Sequence, residues 1–288
     1  MSFHNNNFFR LAGAEPHVKG LWQILLPALL YTVLYNVFQY ACLLEFRHLR
    51  ASGPQFLRSF TSNRPGICMA LMMVVPMAAA LLAVLWEGIL RLRAFRRETA
   101  ESRDRRKSRT LVPLLLAAAA AALCVFGNAQ IQAMDLHSES VDTMQPIYRE
   151  LPFFLIFLIF ALVTPFAEEF VFRGLVYTGL RSRYPALPSV IAAAVLFGLY
   201  HGELLQGAYA ACMGLLLGYS MEMTGDLRVP WLLHGIANGL PLCLTYFGVW
   251  ETFLRAGWRV GALACFLAVL GILRFLPARQ KSAGSSMD

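Results

Sequence analysis

Eight stretches of nearly unbroken apolar residues divide the chain, at about 21–44, 66–90, 110–134, 151–180, 188–202, 206–223, 229–249 and 260–276. A helix rising 1.5 Å per residue needs about 20 apolar residues to cross the hydrocarbon core of a bilayer. The pattern therefore predicts an all-α, polytopic membrane protein with about eight transmembrane helices. Short polar connectors between the later runs predict antiparallel neighbours. The fourth run is the longest, so its last turns are expected to project past the bilayer core. The first run holds Pro27, Asn36 and Gln39, which predicts that one side of it faces other helices. Glu87 closes the second run beside Arg91 and Arg93 and reads as an ion-paired end residue. The third run is rich in alanine, and small residues let helices approach closely in lipid. The pattern divides one membrane domain into three parts. Residues 1–150 hold a polar N-terminal segment and three helices, residues 151–249 a central core, and residues 250–288 the last helix and a polar tail.

Composition agrees with a membrane solvent. Of the 288 residues 58% are hydrophobic and only 15% charged, against about 25% charged in soluble domains. The net charge of +8 sits in connectors, where Lys and Arg set topology and meet anionic headgroups. It therefore gives no ground for a nucleic-acid partner, and the bilayer itself is the first partner. The basic segment 91–109 is expected in the cytoplasm and the acidic loop 135–150 outside. Both termini are then cytoplasmic, in the inner membrane of a bacterial cell. Arg47, Arg50, Arg58 and Arg64 oppose this assignment. The first twenty residues lack the form of a cleaved signal peptide. The six cysteines form no CxxC pair and read as small buried hydrophobes.

Against this background the segment TPFAEEFVFRG at 164–174 stands out. A charged residue at the centre of a membrane helix costs about 3 kcal/mol on insertion scales. Glu168, Glu169 and Arg173 are therefore candidates for function. Glu169 and Arg173 are four residues apart with Glu first, the favourable order for an ion pair. Glu168 has Phe172 at that spacing and no such partner, the condition that raises a carboxyl pKa toward that of a general base. Only His201 and His234 among the six histidines lie in or at the end of a predicted span; His4, His17, His48 and His137 fall in polar segments. Asn238 lies on the face of His234, at i+4.

At 1.5 Å per residue, Glu168 and His201 both fall about 18–20 Å from the cytoplasmic end of their helices, while His234 and Asn238 fall at about 8 and 14 Å. The set permits convergence. An acid, a base and amide or imidazole donors suit hydrolysis of a peptide bond. The chain has no HExxH and no GxSxG. Glu168, His201 and His234 remain a conceivable zinc set, the alternative to a site without cofactor. A proton or ion path, or a membrane scaffold, is the rival use of the same groups.

EEFVFR, FGLYH at 197–201 and HGIAN at 234–238 resemble, in order, the EExxxR, FxxxH and HxxxN motifs of the CAAX-protease and bacteriocin-processing family of intramembrane glutamic endopeptidases. The resemblance covers about 151–249. It implies an eight-helix fold with its site inside the bilayer, and hydrolysis of a membrane-anchored protein or peptide. It implies that Glu168 activates water with help from His201, that Glu169 and Arg173 support it, that His234 and Asn238 form the oxyanion site, and that Phe197 lines the pocket. It needs no cofactor. A non-catalytic scaffold or bacteriocin-immunity protein of the same fold is the alternative it leaves.

Overall fold

The computed structural model describes residues 21–100, 108–133 and 139–275. Every element among them is a helix. In chain order these are α1 (Leu21–Ser52), α2 (Gln55–Asn63), α3 (Pro65–Ala100), α4 (Ser108–Ala133), α5 (Glu139–Glu150), α6 (Phe153–Arg181), α7 (Ala186–Tyr200), α8 (Leu204–Thr224), α9 (Arg228–Tyr246), α10 (Trp250–Leu254) and α11 (Ala256–Phe275). Each of the eight apolar runs falls on a helix. Stretches in α1, α3, α4, α6 and α8 are long and apolar enough to cross a membrane, and α7 and part of α11 are shorter apolar helices. The protein is a multi-pass membrane protein. Large side chains such as Leu82, Trp86, Leu114 and Leu199 point outward, as a lipid-facing surface requires. His4, His17, His137 and the tail after Pro277 lie outside the described residues.

The apolar pattern gave no sign of α2 and α5, which lie in connectors. Both are short and polar on one side. α5 packs on α3 through the buried Ile147, and the Glu150 carboxylate accepts from the Ile67 backbone N–H at 3.3 Å.

The two larger apolar cores lie side by side. One joins α1, α3, α6, α7 and α8 around Tyr31, Val84, Val171 and Leu175. The other joins α4, α8, α9 and α11 around Leu116, Leu217 and Leu233. Glu87 is ion-paired as its place in the sequence predicts, with Arg91 Nε at 2.7 Å. Arg91 also donates to the carbonyls of Ile24 and Leu175, so one guanidinium ties α1, α3 and α6 together. Near the turn between α8 and α9, Arg96 and Arg228 both reach Asp226. Burial opposes charge on Asp226, but the Arg228 hydrogen bonds and the two cations prevail and hold its carboxyl below the usual range. All six cysteines are free.

α6 is not a uniform α-helix. Its turns at Leu158–Val163 and Phe170–Tyr177 widen to π-helical spacing, a local irregularity often found at functional sites. In the first of these turns the carbonyls of Phe160 and Leu162 accept hydrogen bonds from α9, from Asn238 Nδ2 at 3.1 Å and Trp231 Nε1 at 2.9 Å. α9 runs antiparallel to α6, since Tyr246 stacks on Phe153 while Trp231 meets Phe166. The crossing is close because Gly235 and Gly239 face Ala161 and Phe157. A Cβ on Gly235 would lie 2.6 Å from the Ala161 carbonyl oxygen, which is backbone and cannot rotate away. Gly235→Ala is therefore expected to cost about 1–3 kcal/mol, read as a lower thermal midpoint in detergent. An unchanged midpoint would mean that α9 does not cross α6 here.

Candidate active site

The candidate residues come from α6, α7 and α9. Glu168 and Glu169 sit between the two widened turns of α6, about 100° apart around the helix, so they meet different neighbours. Glu169 has no exposed surface and Glu168 retains 8%, so Glu168 is the carboxylate that a small molecule can reach.

Glu169 is the fixed member. Its Oε1 accepts from Arg173 NH1 at 2.8 Å and lies 2.9 Å from His234 Nδ1. Arg173, itself 1% exposed, donates through NH2 to the Gly214 carbonyl of α8 at 3.1 Å. Its guanidinium lies over the Phe197 ring of α7, 4.7 Å from the centroid. One arginine thus binds α6, α7 and α8 at the level of the glutamates.

His234 bridges the two acids. An ionised Glu169 can only accept, so the Nδ1 that faces it carries a proton. Nε2 then faces Glu168 Oε2 at 3.6 Å, outside direct hydrogen-bond range and near enough for ionic interaction. Phe197 stands edge-on to both histidines, with ring centroids 4.8 Å from His201 and 5.6 Å from His234. His201 caps the end of α7, where its Nδ1 is 2.8 Å from the Phe197 carbonyl. Asn238 donates one amide hydrogen to Phe160 and has a second.

Residues 150–240 match the model of the family described as type II CAAX prenyl endopeptidase, Rce1-like. That segment is similar to the Rce1-like domain. It covers about a third of the chain, from the end of α5 into α9, and holds Glu168, Glu169, Arg173, Phe197, His201, His234 and Asn238. The family is one of membrane endopeptidases, consistent with the CAAX-protease and bacteriocin-processing resemblance of the motifs. No curated protein and no solved structure matches the chain.

Within residues 150–240 the three motifs come together through different contacts than depth alone predicts. Counting residues places His201 level with Glu168 and His234 about 10 Å away. In the folded chain His234 contacts both glutamates, because α9 crosses α6 closely at Gly235. His201 meets the site through Phe197. Among the described residues no group of three or more His, Cys, Asp or Glu side chains is arranged to hold a metal ion, so Glu168, His201 and His234 do not form such a set here.

Several groups at the site escape a reading of the sequence. The Gly214 carbonyl and the Phe197 ring carry no signal of binding a cation. Trp231 carries no such signal either, yet its indole N–H donates to the Leu162 carbonyl and fixes α9 on α6. Tyr31 of α1 shares a buried cluster with Ala167 and Phe197, and Tyr35 and Tyr200 pack against it. The i, i+4 spacing of Tyr31, Tyr35 and Gln39 in an apolar helix was the available signal.

Proposed function

We propose that the protein is an intramembrane glutamic endopeptidase that cuts a membrane-associated protein or peptide. The observation that carries this reading is the bridge of His234 between a fully buried, Arg-paired Glu169 and the more accessible Glu168. Such a bridge orients an imidazole and leaves Glu168 as the group that changes protonation.

In this reading Glu168 takes a proton from water as the water oxygen bonds to the scissile carbonyl carbon. The carbonyl π-electrons pass to oxygen, and the second amide hydrogen of Asn238 supports the oxyanion. Collapse of the intermediate breaks the C–N bond, and Glu168 returns the proton to the leaving amine. His234 adjusts to the charge on Glu168 through Nε2, with Nδ1 held by Glu169. His201, at the end of α7, holds the water from the other side. No step calls for a cofactor; the metal content of active purified protein decides the zinc alternative. The basic connectors support a place in the inner membrane with cytoplasmic termini.

The test is a comparison of protein termini in membranes carrying wild type or Glu168→Gln at equal levels. New termini that appear with wild type alone support the endopeptidase and identify what it cuts. Identical termini reject it and leave the scaffold.

Asn238→Ala separates catalysis from packing. Loss of an oxyanion donor is expected to lower turnover by about 10²- to 10³-fold, with a stability loss of about 1 kcal/mol from the hydrogen bond to Phe160. Reduced stability with normal turnover would make Asn238 a residue that only seats α9 on α6.

A further inference from the structure

α9 carries His234 and Asn238, and its hydrogen-bond ladder has a gap between them and the outer end of the helix. An α-helical carbonyl accepts from the N–H four residues on. Four residues after Ala237 stands Pro241, inside α9 and without an N–H. The Ala237 carbonyl therefore lacks its ordinary helical donor, on a residue only 3% exposed. A buried carbonyl left without a donor is unfavourable.

α4 supplies the donor. Cys124 is fully buried there, and its thiol donates to the Ala237 oxygen with Sγ at 3.1 Å. The sulfur is itself held from the other side. Asn128, one turn along α4, donates through Nδ2 to the Cys124 carbonyl at 3.0 Å and lies 3.7 Å from Sγ. The Tyr209 hydroxyl of α8 also bonds the thiol and is 3.5 Å from Asn128 Nδ2. A cysteine that reads in the sequence as a small hydrophobe is thus the centre of a polar link between α4, α8 and α9. The link ends close to the site. The Ala237 carbonyl belongs to the peptide group that leads into Asn238, whose side chain donates to the Phe160 carbonyl of α6 at 3.1 Å.

We propose that Cys124 is a positioning residue: its S–H holds the peptide group that Pro241 leaves unbonded and so aims the Asn238 amide. The proposal rests on the endopeptidase reading, in which the second amide hydrogen of Asn238 meets the oxyanion. It adds a residue of α4, outside the segment that matches the family model. The thiol donates a hydrogen bond only, forms no covalent bond and keeps its proton.

Wild type, Glu168→Gln, Cys124→Ala, Cys124→Ser, Asn238→Ala and the double variant Cys124→Ala with Asn238→Ala are compared. The rate at which wild-type-specific termini accumulate is followed per amount of protein in the membrane. Cys124→Ala is expected to slow that rate about 10- to 100-fold, the effect of a small misplacement of a catalytic group. Cys124→Ser should recover most of the loss. Serine and alanine both give up the volume of the sulfur, so the difference between them reads the donor. The double variant should cut no more slowly than Asn238→Ala alone, because the thiol acts through that amide. A wild-type rate for Cys124→Ala overturns the proposal. So does a serine variant as slow as the alanine variant, which marks volume, and so does a further loss in the double variant, which marks a path that bypasses Asn238. Loss of Cys124→Ala from the membrane while Cys124→Ser accumulates assigns the thiol to the fold and overturns it as well. If wild type and Glu168→Gln yield the same termini, the endopeptidase reading falls and the role of Cys124 falls with it. If those two differ while Cys124→Ala matches wild type, only the role of Cys124 is lost.

Discussion

Glu168→Gln is expected to abolish hydrolysis while the protein still accumulates and unfolds at or above the wild-type temperature. The amide keeps the shape of the carboxylate and cannot take a proton from water. General-base catalysis is worth about 10²- to 10⁴-fold, which in a terminus assay reads as loss of every specific product. Stability should hold because Glu168 is not the acid that Arg173 pairs with. The substitution leaves the 2.8 Å Arg173–Glu169 contact and the 2.9 Å His234–Glu169 contact intact. It also removes a partly desolvated charge. Cleavage at the wild-type rate would take the base role from Glu168, and loss of the protein from the membrane would make Glu168 a structural residue.

Arg173→Ala should have the opposite signature, with the protein itself failing. Arg173 is the largest fully buried side chain among the described residues, and its head group meets Glu169, the Gly214 carbonyl and the Phe197 face. Its removal leaves the Glu169 charge, which has no exposed surface, with His234 alone. Breaking a buried ion pair from one side costs about 3–5 kcal/mol, a large part of the roughly 5–15 kcal/mol that holds a domain folded. Abundance and thermal midpoint should both drop sharply. Arg173→Lys should recover little, because an ammonium lacks the planar fork that reaches two acceptors and lies over a ring. The double change Arg173→Leu with Glu169→Leu should recover more stability than Arg173→Ala, since no orphan charge remains. A normal midpoint for Arg173→Ala would show that the pair does not hold α6, α7 and α8 together.

The two substitutions divide the EEFVFR motif into a chemical and a structural half, and the division follows from helix geometry. Adjacent residues point about 100° apart, so Glu168 and Glu169 cannot share an environment. Spacing alone assigns Arg173 to Glu169, and the structure has that pair. Spacing could not tell which histidine completes the site. His201 and His234 are both followed by glycine, and residue counts favour His201 as the neighbour of Glu168. The folded chain brings His234 to both glutamates, because Gly235 lets α9 cross α6 within contact of the Ala161 carbonyl.

The sequence by itself determined the membrane class, the eight helical runs, the acid–acid–arginine pattern and the motif set. These follow from composition and from periodicities of a few residues, which are local properties of the chain. The tertiary structure decided the rest. It gave Arg173 its partners on α7 and α8 and placed His234 between two acids 65 and 66 positions earlier in the chain. It also turned the widened helix of α6 toward α9. Those contacts join residues on separate helices. Which helix faces meet depends on where glycines permit close approach and where buried charges require partners, and neither can be read one helix at a time.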